Sequence, residues 1–167
     1  ISLEPTLLKL EGETRTITAL FTDIEDFTAM AERATPDVLV KLLDHYFDSV
    51  SSIVIEHGGM IDKFVGDAVH AFFNAPLDVR DHPLEAVRAA IRIADFSAAF
   101  TATPEASAIG FGRTRIGIET GSAIVGDVGG GRKLDYTAHG NAVNAAARLE
   151  GLNKLLSTTI CVGPGTA

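Results

Sequence analysis

The sequence predicts an α+β fold, with a mostly antiparallel β-sheet and helices packed on one face of it. Three observations support this prediction. Short apolar runs of strand length come in pairs joined by tight turns, which makes the paired strands antiparallel. Longer segments with apolar residues at helical spacing lie between the pairs, and the sequence contains no internal repeat or low-complexity tract. The predicted order is βαββαββαβ.

The first part of the chain is predicted to form a strand and then a helical region. Residues 14–21 predict the first strand. A loop at residues 22–28 precedes a long helical pattern, which restarts at Pro36 because proline is tolerated in a first helical turn. The sequence His-Gly-Gly at residues 57–59 ends this helix. Its apolar residues recur at helical spacing: Val38, Leu42, Tyr46, Val50, Ile53 and Val54.

A central hairpin follows. Residues 60–65 and 68–73 are two apolar runs on either side of Gly66 and Asp67, and this spacing predicts a two-residue turn. Gly66 can take the positive φ that such a turn needs. The hairpin therefore places the carboxylate of Asp67 at its tip.

The second half of the chain is predicted to form a helix, a loop, another hairpin, a helix and a last strand. The turn of this second hairpin is placed at Thr120 and Gly121. The corresponding ranges are 82–100 for the helix, 101–108 for the loop, 113–118 and 122–126 for the hairpin strands, 142–155 for the next helix and 159–162 for the last strand.

Length and composition suit one globular domain over residues 1–167, with residues 1–13 as a lead-in. The net charge of −8 argues against a nucleic-acid partner, because a phosphate-backbone groove is basic. Cys161 is the single cysteine, so a reducing compartment is expected. No apolar run reaches about 18 residues, so no membrane contact is expected from this segment. Ile1 in place of Met indicates a fragment of something longer.

Two carboxylates are candidate metal ligands. Asp23 ends the first predicted strand and Asp67 tips the central hairpin. If these strands are neighbours, both carboxylates lie at one end of the sheet, where they can hold hard divalent cations against phosphate oxygens. Taken singly, Asp23 is as well explained as a helix cap and Asp67 as a turn residue.

Other candidates contribute to phosphate, sugar or base contacts. The loop after Asp23 leads into a helix N-terminus, whose free N–H groups suit a polyphosphate. Asn144 and Arg148 share a helix face, where they could orient a sugar and neutralise a phosphoryl group, or simply face water. Lys63 is either an edge-strand charge or a donor to a base, and Thr137 is either a β-former or a second base contact.

Three blocks of the sequence resemble the class III nucleotidyl cyclases. The first is Phe-Thr-Asp-Ile at residues 21–24, followed by Phe-Thr at 27–28. The second is Lys-Phe-Val-Gly-Asp-Ala-Val at residues 63–69. The third is Asp-Tyr-Thr at residues 135–137 with Gly-Asn-Ala-Val-Asn-Ala-Ala-Ala-Arg-Leu-Glu at 140–150. The resemblance runs from about residue 14 onward.

The resemblance implies the nucleotide cyclase fold, with a ferredoxin-like βαββαβ core, and a head-to-tail homodimer with two composite active sites. In one subunit, Asp23, Asp67 and the backbone carbonyl of Ile24 would bind two divalent cations, Mg²⁺ or Mn²⁺. The other subunit would supply Lys63 and Thr137 for the base, and Asn144 and Arg148 for the transition state. The phosphate-binding loop would comprise Ile24, Glu25, Asp26, Phe27 and Thr28. The ribose 3′-hydroxyl would attack the α-phosphorus and release pyrophosphate.

The base is expected to be adenine. Lys63 can only donate, which suits adenine N1, and the Thr137 hydroxyl can accept from the 6-amino group. Threonine at this position resembles the subgroup called IIIb. The expected function is therefore an adenylyl cyclase acting on ATP in the cytoplasm, within a parent protein that can carry sensor or membrane domains. The alternatives are a guanylyl cyclase, or a weakly active cyclase-like domain that binds nucleotide or dimerises.

Two departures from the family pattern stand out. Asp26 occupies a position where many members have glycine, and it adds negative charge near a triphosphate. The chain also stops at Ala167, where the family typically continues into further strands, so these strands are expected to be absent from this segment.

Overall fold

The computed structural model describes residues 12–127 and 136–167. These residues form an α+β fold, as predicted. The elements in chain order are β1 Glu13–Ile24, α1 Phe27–Arg33, α2 Pro36–Glu56, β2 Met60–Val65, β3 Ala68–Phe73, α3 His82–Thr101, α4 Pro104–Ile109, β4 Thr114–Asp127, β5 Tyr136–His139, α5 Asn141–Leu156 and β6 Ile160–Val162. Residues 1–11 of the predicted lead-in, and Asp135 of the third sequence block, lie outside the described residues. The single-domain assignment stays a prediction.

The sheet is mostly antiparallel, which confirms the prediction. Its strand order is β2-β3-β1-β4-β5, and all four neighbouring pairs along this path are antiparallel. The short strand β6 pairs with β4 in parallel. Strand β1 therefore lies at the centre. Its pairings with β3 and β4 determine which residues of these strands lie beside each end of β1.

The central hairpin is also confirmed. Strands β2 and β3 pair on either side of the turn, and Gly66 has a φ of 61°. The pairing is not regular throughout, because its register shifts between Ile61 and Lys63. Ile61 pairs with Ala71 and Lys63 with His70, so Asp62 is an extra residue in a β-bulge.

The predicted hairpin around Thr120 and Gly121 is wrong. Strand β4 runs without interruption through both residues, and it pairs with β1 from Glu13 opposite Val125 to Ile24 opposite Thr114. A continuous partner strand outweighs the local turn preference of one glycine. Gly121 instead faces α5, where a Cβ would lie 3.5 Å from the Cβ of Ala142.

The predicted loop at residues 101–108 is partly helical. Helix α4 begins at Pro104, after Thr103, whose side-chain oxygen accepts a hydrogen bond from the Ala106 amide at 3.4 Å. A threonine N-cap followed by proline at the first helical position is a helix-start signal. The polar composition of the segment concealed this signal.

The two faces of the sheet carry two separate cores. The prediction that helices pack on one face only is therefore wrong. Helices α2 and α3 pack on the face that contains Leu20, Val69 and Ile118. The opposite face contains a smaller cluster with Ile17 and Val125, against which α5 packs through Val143. Successive strand residues point to opposite faces, which accounts for this division. Helix α5 thus covers the face on which Asp23 lies.

Candidate active site

The two predicted metal ligands lie together at one end of the sheet. Asp23 is the penultimate residue of β1, and Asp67 is in the turn between β2 and β3. Because β1 pairs with β3, the turn folds over the end of β1. The Ile24 amide donates a hydrogen bond to Asp67 Oδ2 at 2.8 Å, which fixes this carboxylate beside Asp23.

An open cleft of about 500 Å³ lies next to these carboxylates. Helix α1 begins at its edge, and Glu25 is held there by a hydrogen bond from its amide to the Arg113 carbonyl at 2.9 Å. Asp26 has a φ of 54°, a left-handed conformation that glycine adopts without strain. The cleft is lined by Asp23, Ile24, Asp26, Phe27, Thr28, Ala29, Glu32, Asp67, Arg115 and Lys154.

Arg115 is a site residue that the sequence reasoning missed. The register of β1 with β4 places it directly opposite Asp23, and Arg115 Nε donates to Asp23 Oδ1 at 3.3 Å. Opposite charges that face each other across two strands attract. In the sequence, Arg115 is only a charged residue in an apolar strand. Its place in the cleft follows from the pairing of β1 with β4, which the sequence does not show.

Glu150 is a second residue that was missed. Its Oε2 lies 4.0 Å from Arg115 Nε, and its side chain is 16% exposed. Burial, together with the hydrogen bond to Asp23 and the charge of Asp23, raises the pKa of Glu150 to about 8. The raised pKa favours the protonated form of Glu150 in the free chain, and this form adds no negative charge beside Asp23 and Asp67.

A glycine explains why α5 brings Glu150 so close to the sheet. Gly117 lies in β4, and a Cβ at this position would be 2.2 Å from the Glu150 amide nitrogen and 2.3 Å from the Ala146 carbonyl oxygen. Without a side chain, β4 lets the helix backbone rest directly on the strand. This contact sets the position of Glu150 above Arg115.

The two predicted base-contacting residues are also brought together. Lys63 is exposed on β2, whereas Thr137 is buried on β5. The Thr137 hydroxyl donates a hydrogen bond to Asp62 Oδ2 at 2.7 Å, and Asp62 is the residue before Lys63. Strands β2 and β5 are therefore in contact although they stand at opposite ends of the strand order.

Asn144 and Arg148 lie four residues apart on α5, and both are exposed. Arg148 lines a different cleft, of about 580 Å³, together with Glu119, Leu152, Leu155 and Pro164. Neither of these α5 residues, nor Lys63 or Thr137, lines the cleft that holds Asp23 and Asp67. The single chain thus keeps its carboxylate pair apart from the residues predicted to serve the base and the transition state.

The oxygen ligands at the cleft fit a divalent cation. Within residues 12–127 and 136–167, no three His, Cys, Asp or Glu side chains are grouped so that they could hold an ion by themselves. Asp23 and Asp67 nevertheless offer two carboxylates at one cleft. Mg²⁺ is commonly bound by one or two carboxylates together with substrate phosphates, so this set suits an ion that shares its ligands with a nucleotide.

Within the part of the chain that the structure describes, no helix has the length and apolarity needed to span a bilayer.

A family model described as "Adenylate and Guanylate cyclase catalytic domain" matches residues 11–161. The chain belongs to this family.

Relatives and solved structures include both kinds of cyclase. The chain is 44% identical to "Adenylate cyclase 1" of Rhizobium meliloti (strain 1021) over 144 residues, which are 86% of this chain and 22% of that protein. It therefore spans about a fifth of that relative's length. The adenylyl cyclase CyaB from P. aeruginosa superposes with a TM-score of 0.82 at 32% identity, covering 94% of this chain and 81% of the other. The guanylyl cyclase Cya2 superposes with a TM-score of 0.81 at 31% identity, covering 93% and 78%.

Proposed function

We propose that this chain is the catalytic domain of an adenylyl cyclase, a phosphorus–oxygen lyase that converts ATP to 3′,5′-cyclic AMP and pyrophosphate. The observation that carries the proposal is the meeting of Asp23, Asp67 and Arg115 at one cleft. Two carboxylates and a guanidinium are the groups that phosphoryl transfer requires around a polyphosphate. The similarity to the Rhizobium adenylate cyclase supports the same reaction. ATP as substrate indicates a cytoplasmic domain, whatever sensor or membrane domains the parent protein carries.

Asp23, Asp67 and the Ile24 carbonyl are the proposed ligands of two Mg²⁺ or Mn²⁺ ions. When bound, such ions lower the pKa of the attacking hydroxyl and neutralise charge on the phosphates. Arg115 adds a fixed positive charge beside Asp23, and it is 15% exposed, so its charge is only partly screened by water. Residues 24–28 would border the triphosphate at the start of α1.

A second copy of the chain would complete each site. Lys63, Thr137, Asn144 and Arg148 lie outside the carboxylate cleft, so a head-to-tail homodimer is needed to bring them to it. Large apolar side chains are exposed beside these residues, as expected at an interface. They are Phe64 and Val65 next to Lys63, and Leu152, Leu155 and Leu156 after Arg148.

In the composite site, the roles of these residues follow from their chemistry. Lys63 would donate to N1 of adenine, and Thr137 would accept from the 6-amino group. Asn144 would orient the ribose, so that its 3′-hydroxyl faces the α-phosphorus. Arg148 would neutralise the charge that develops on the phosphoryl group in the transition state.

The direct test is cyclic-nucleotide production in the presence of Mn²⁺, with ATP and GTP offered in parallel. We expect cyclic AMP from the parent chain. Asp67→Ala should make roughly a hundredfold less, because one metal ligand is lost. An excess of cyclic GMP would instead identify a guanylyl cyclase, which the similarity to Cya2 keeps as the second candidate. No product from a chain shown to be dimeric would contradict both enzyme assignments.

The dimer proposal has its own test, because the two halves of each site come from different subunits. Asp67→Ala and Arg148→Ala should each be inactive alone. In a one-to-one mixture, half of the dimers pair the two variants and hold one intact site, so activity should recover to about a quarter of the parent value. Recovery would be absent if one chain supplied a complete site.

A further inference from the structure

The hydrogen bond between Thr137 and Asp62 determines how Thr137 can bind a ligand. Thr137 Oγ1 donates to Asp62 Oδ2 at 2.7 Å, and Thr137 is 2% exposed. A hydroxyl group has one proton to donate and two lone pairs that accept. Because the single proton points to a carboxylate oxygen, a group that approaches Thr137 Oγ1 from elsewhere meets a lone pair.

The β-bulge in β2 positions Asp62 for this contact. Ile61 and Lys63 pair with Ala71 and His70, so Asp62 is the additional residue between two paired neighbours. A bulge changes the direction of a side chain relative to a regular strand. Asp62 thus stands directly before the predicted base contact Lys63 while it holds the predicted contact Thr137.

We propose that Asp62 is a specificity-determining positioning residue: it holds the Thr137 hydroxyl as an acceptor and so selects a nucleotide whose base carries an exocyclic amino group at the 6-position. This inference rests on the proposed function and deepens it. Adenine presents a donor at the 6-amino group, which the lone pair of Thr137 can accept. Guanine presents the O6 acceptor at that place, and two acceptors repel each other.

Without Asp62, threonine would read the base poorly. A free hydroxyl rotates, so it presents a lone pair to the 6-amino group in only some of its orientations, and in others it can donate to O6. Lys63 would still prefer adenine N1, but the second contact would no longer discriminate. The pair of Asp62 and Thr137 therefore acts as one acceptor with a fixed direction, much as a single carboxylate would at the position of Thr137.

The test compares ATP with purine riboside triphosphate, which has the same N1 acceptor but no 6-amino group. The readout is the ratio of kcat/KM for the two substrates in the dimeric parent chain and in its variants. We expect Asp62→Ala and Thr137→Val each to lower this ratio about fivefold, the size of one lost hydrogen bond. Thr137→Ser, which keeps the hydroxyl, should retain the parent ratio. Asp95→Ala, an exposed aspartate in α3, is the matched control.

The double variant separates positioning from a direct contact. If Asp62 acts through Thr137, adding Asp62→Ala to Thr137→Val should leave the ratio unchanged. An equal further loss in the double variant would show that Asp62 acts by itself and would overturn the inference. So would a loss of activity on both substrates at a constant ratio, because that is the result of a merely structural role.

The same variants keep the inference testable if the parent chain makes no cyclic nucleotide. The affinities for the 3′-deoxy forms of both nucleotides, which cannot cyclise, can then be compared by calorimetry. A fivefold preference for the 6-amino form that disappears in Asp62→Ala supports the inference even where the proposed reaction has failed. A preference that is unchanged in Asp62→Ala overturns the inference, whether or not the chain makes cyclic AMP. If Asp62→Ala does not fold, Asp62→Ser, which is too short to keep the contact, replaces it.

Discussion

Replacing Gly117 by alanine tests how closely α5 must rest on β4. The added Cβ would lie 2.2 Å from the Glu150 amide nitrogen and 2.3 Å from the Ala146 carbonyl oxygen. Carbon atoms in contact prefer separations of about 3.5–4.0 Å, so the helix would have to move by more than about 1 Å. Both atoms are backbone atoms, and a change of side-chain rotamer cannot relieve the overlap.

The expected cost is large for the addition of one methyl group. Overpacking a well-packed site costs about 1–3 kcal/mol, and a rigid helix backbone places Gly117→Ala at or above the upper end of this range. The displaced helix carries Glu150 away from Arg115, and it also carries Asn144 and Arg148. We therefore expect reduced cyclase activity as well as reduced stability.

Gly151 provides the matched control. It lies in the same helix, is exposed, and has no heavy atom within 4 Å of where a Cβ would be. Gly151→Ala should therefore stabilise the chain by about 0.5–1 kcal/mol, because alanine favours the helix. Urea unfolding of both variants measures the two effects. A Gly117→Ala variant within about 0.5 kcal/mol of the parent would refute the packing argument.

Three further predictions concern stability. The raised pKa of Glu150, about 8 against its ordinary value of 4.5, means that the folded chain binds more protons than the unfolded chain between these values. Without metal, the free energy of unfolding should therefore fall as pH rises through this window, by up to ~1.4 kcal/mol per pH unit. Urea unfolding of Glu150→Gln at the same pH values should show no such fall. Tyr46→Phe removes a buried hydroxyl that forms a hydrogen bond with Thr114 Oγ1 at 2.7 Å. It should lower the free energy of unfolding in urea by about 1–2 kcal/mol. An unchanged free energy would show that this hydrogen bond does not stabilise the fold. Thr103→Ala removes the N-cap of α4 and should cost about 1 kcal/mol in the same assay, whereas Thr103→Ser should retain most of it.

The local features of the sequence predicted most of the fold. Helix α2 and the β2–β3 hairpin follow from apolar periodicity and from Gly66, whose positive φ the turn requires. The same reasoning failed at Gly121, where a glycine inside an apolar run resembled a turn. That glycine lies inside the continuous strand β4 and faces α5, and the pairing of β4 with β1 that keeps the strand straight through it is not visible in the local sequence.

The sequence by itself determined the α+β class, the central hairpin and the three blocks that identify the family, because each depends on residues close together in the chain. Only the tertiary structure decided that Arg115 faces Asp23 from 92 positions away and that Asp62 binds Thr137 from 75 positions away. Such contacts depend on strand register and on a bulge, and a shift of one residue would turn each side chain to the other face of the sheet. The carboxylate pair could therefore be predicted from its motifs, whereas the charges and hydrogen bonds that adjust the site could not.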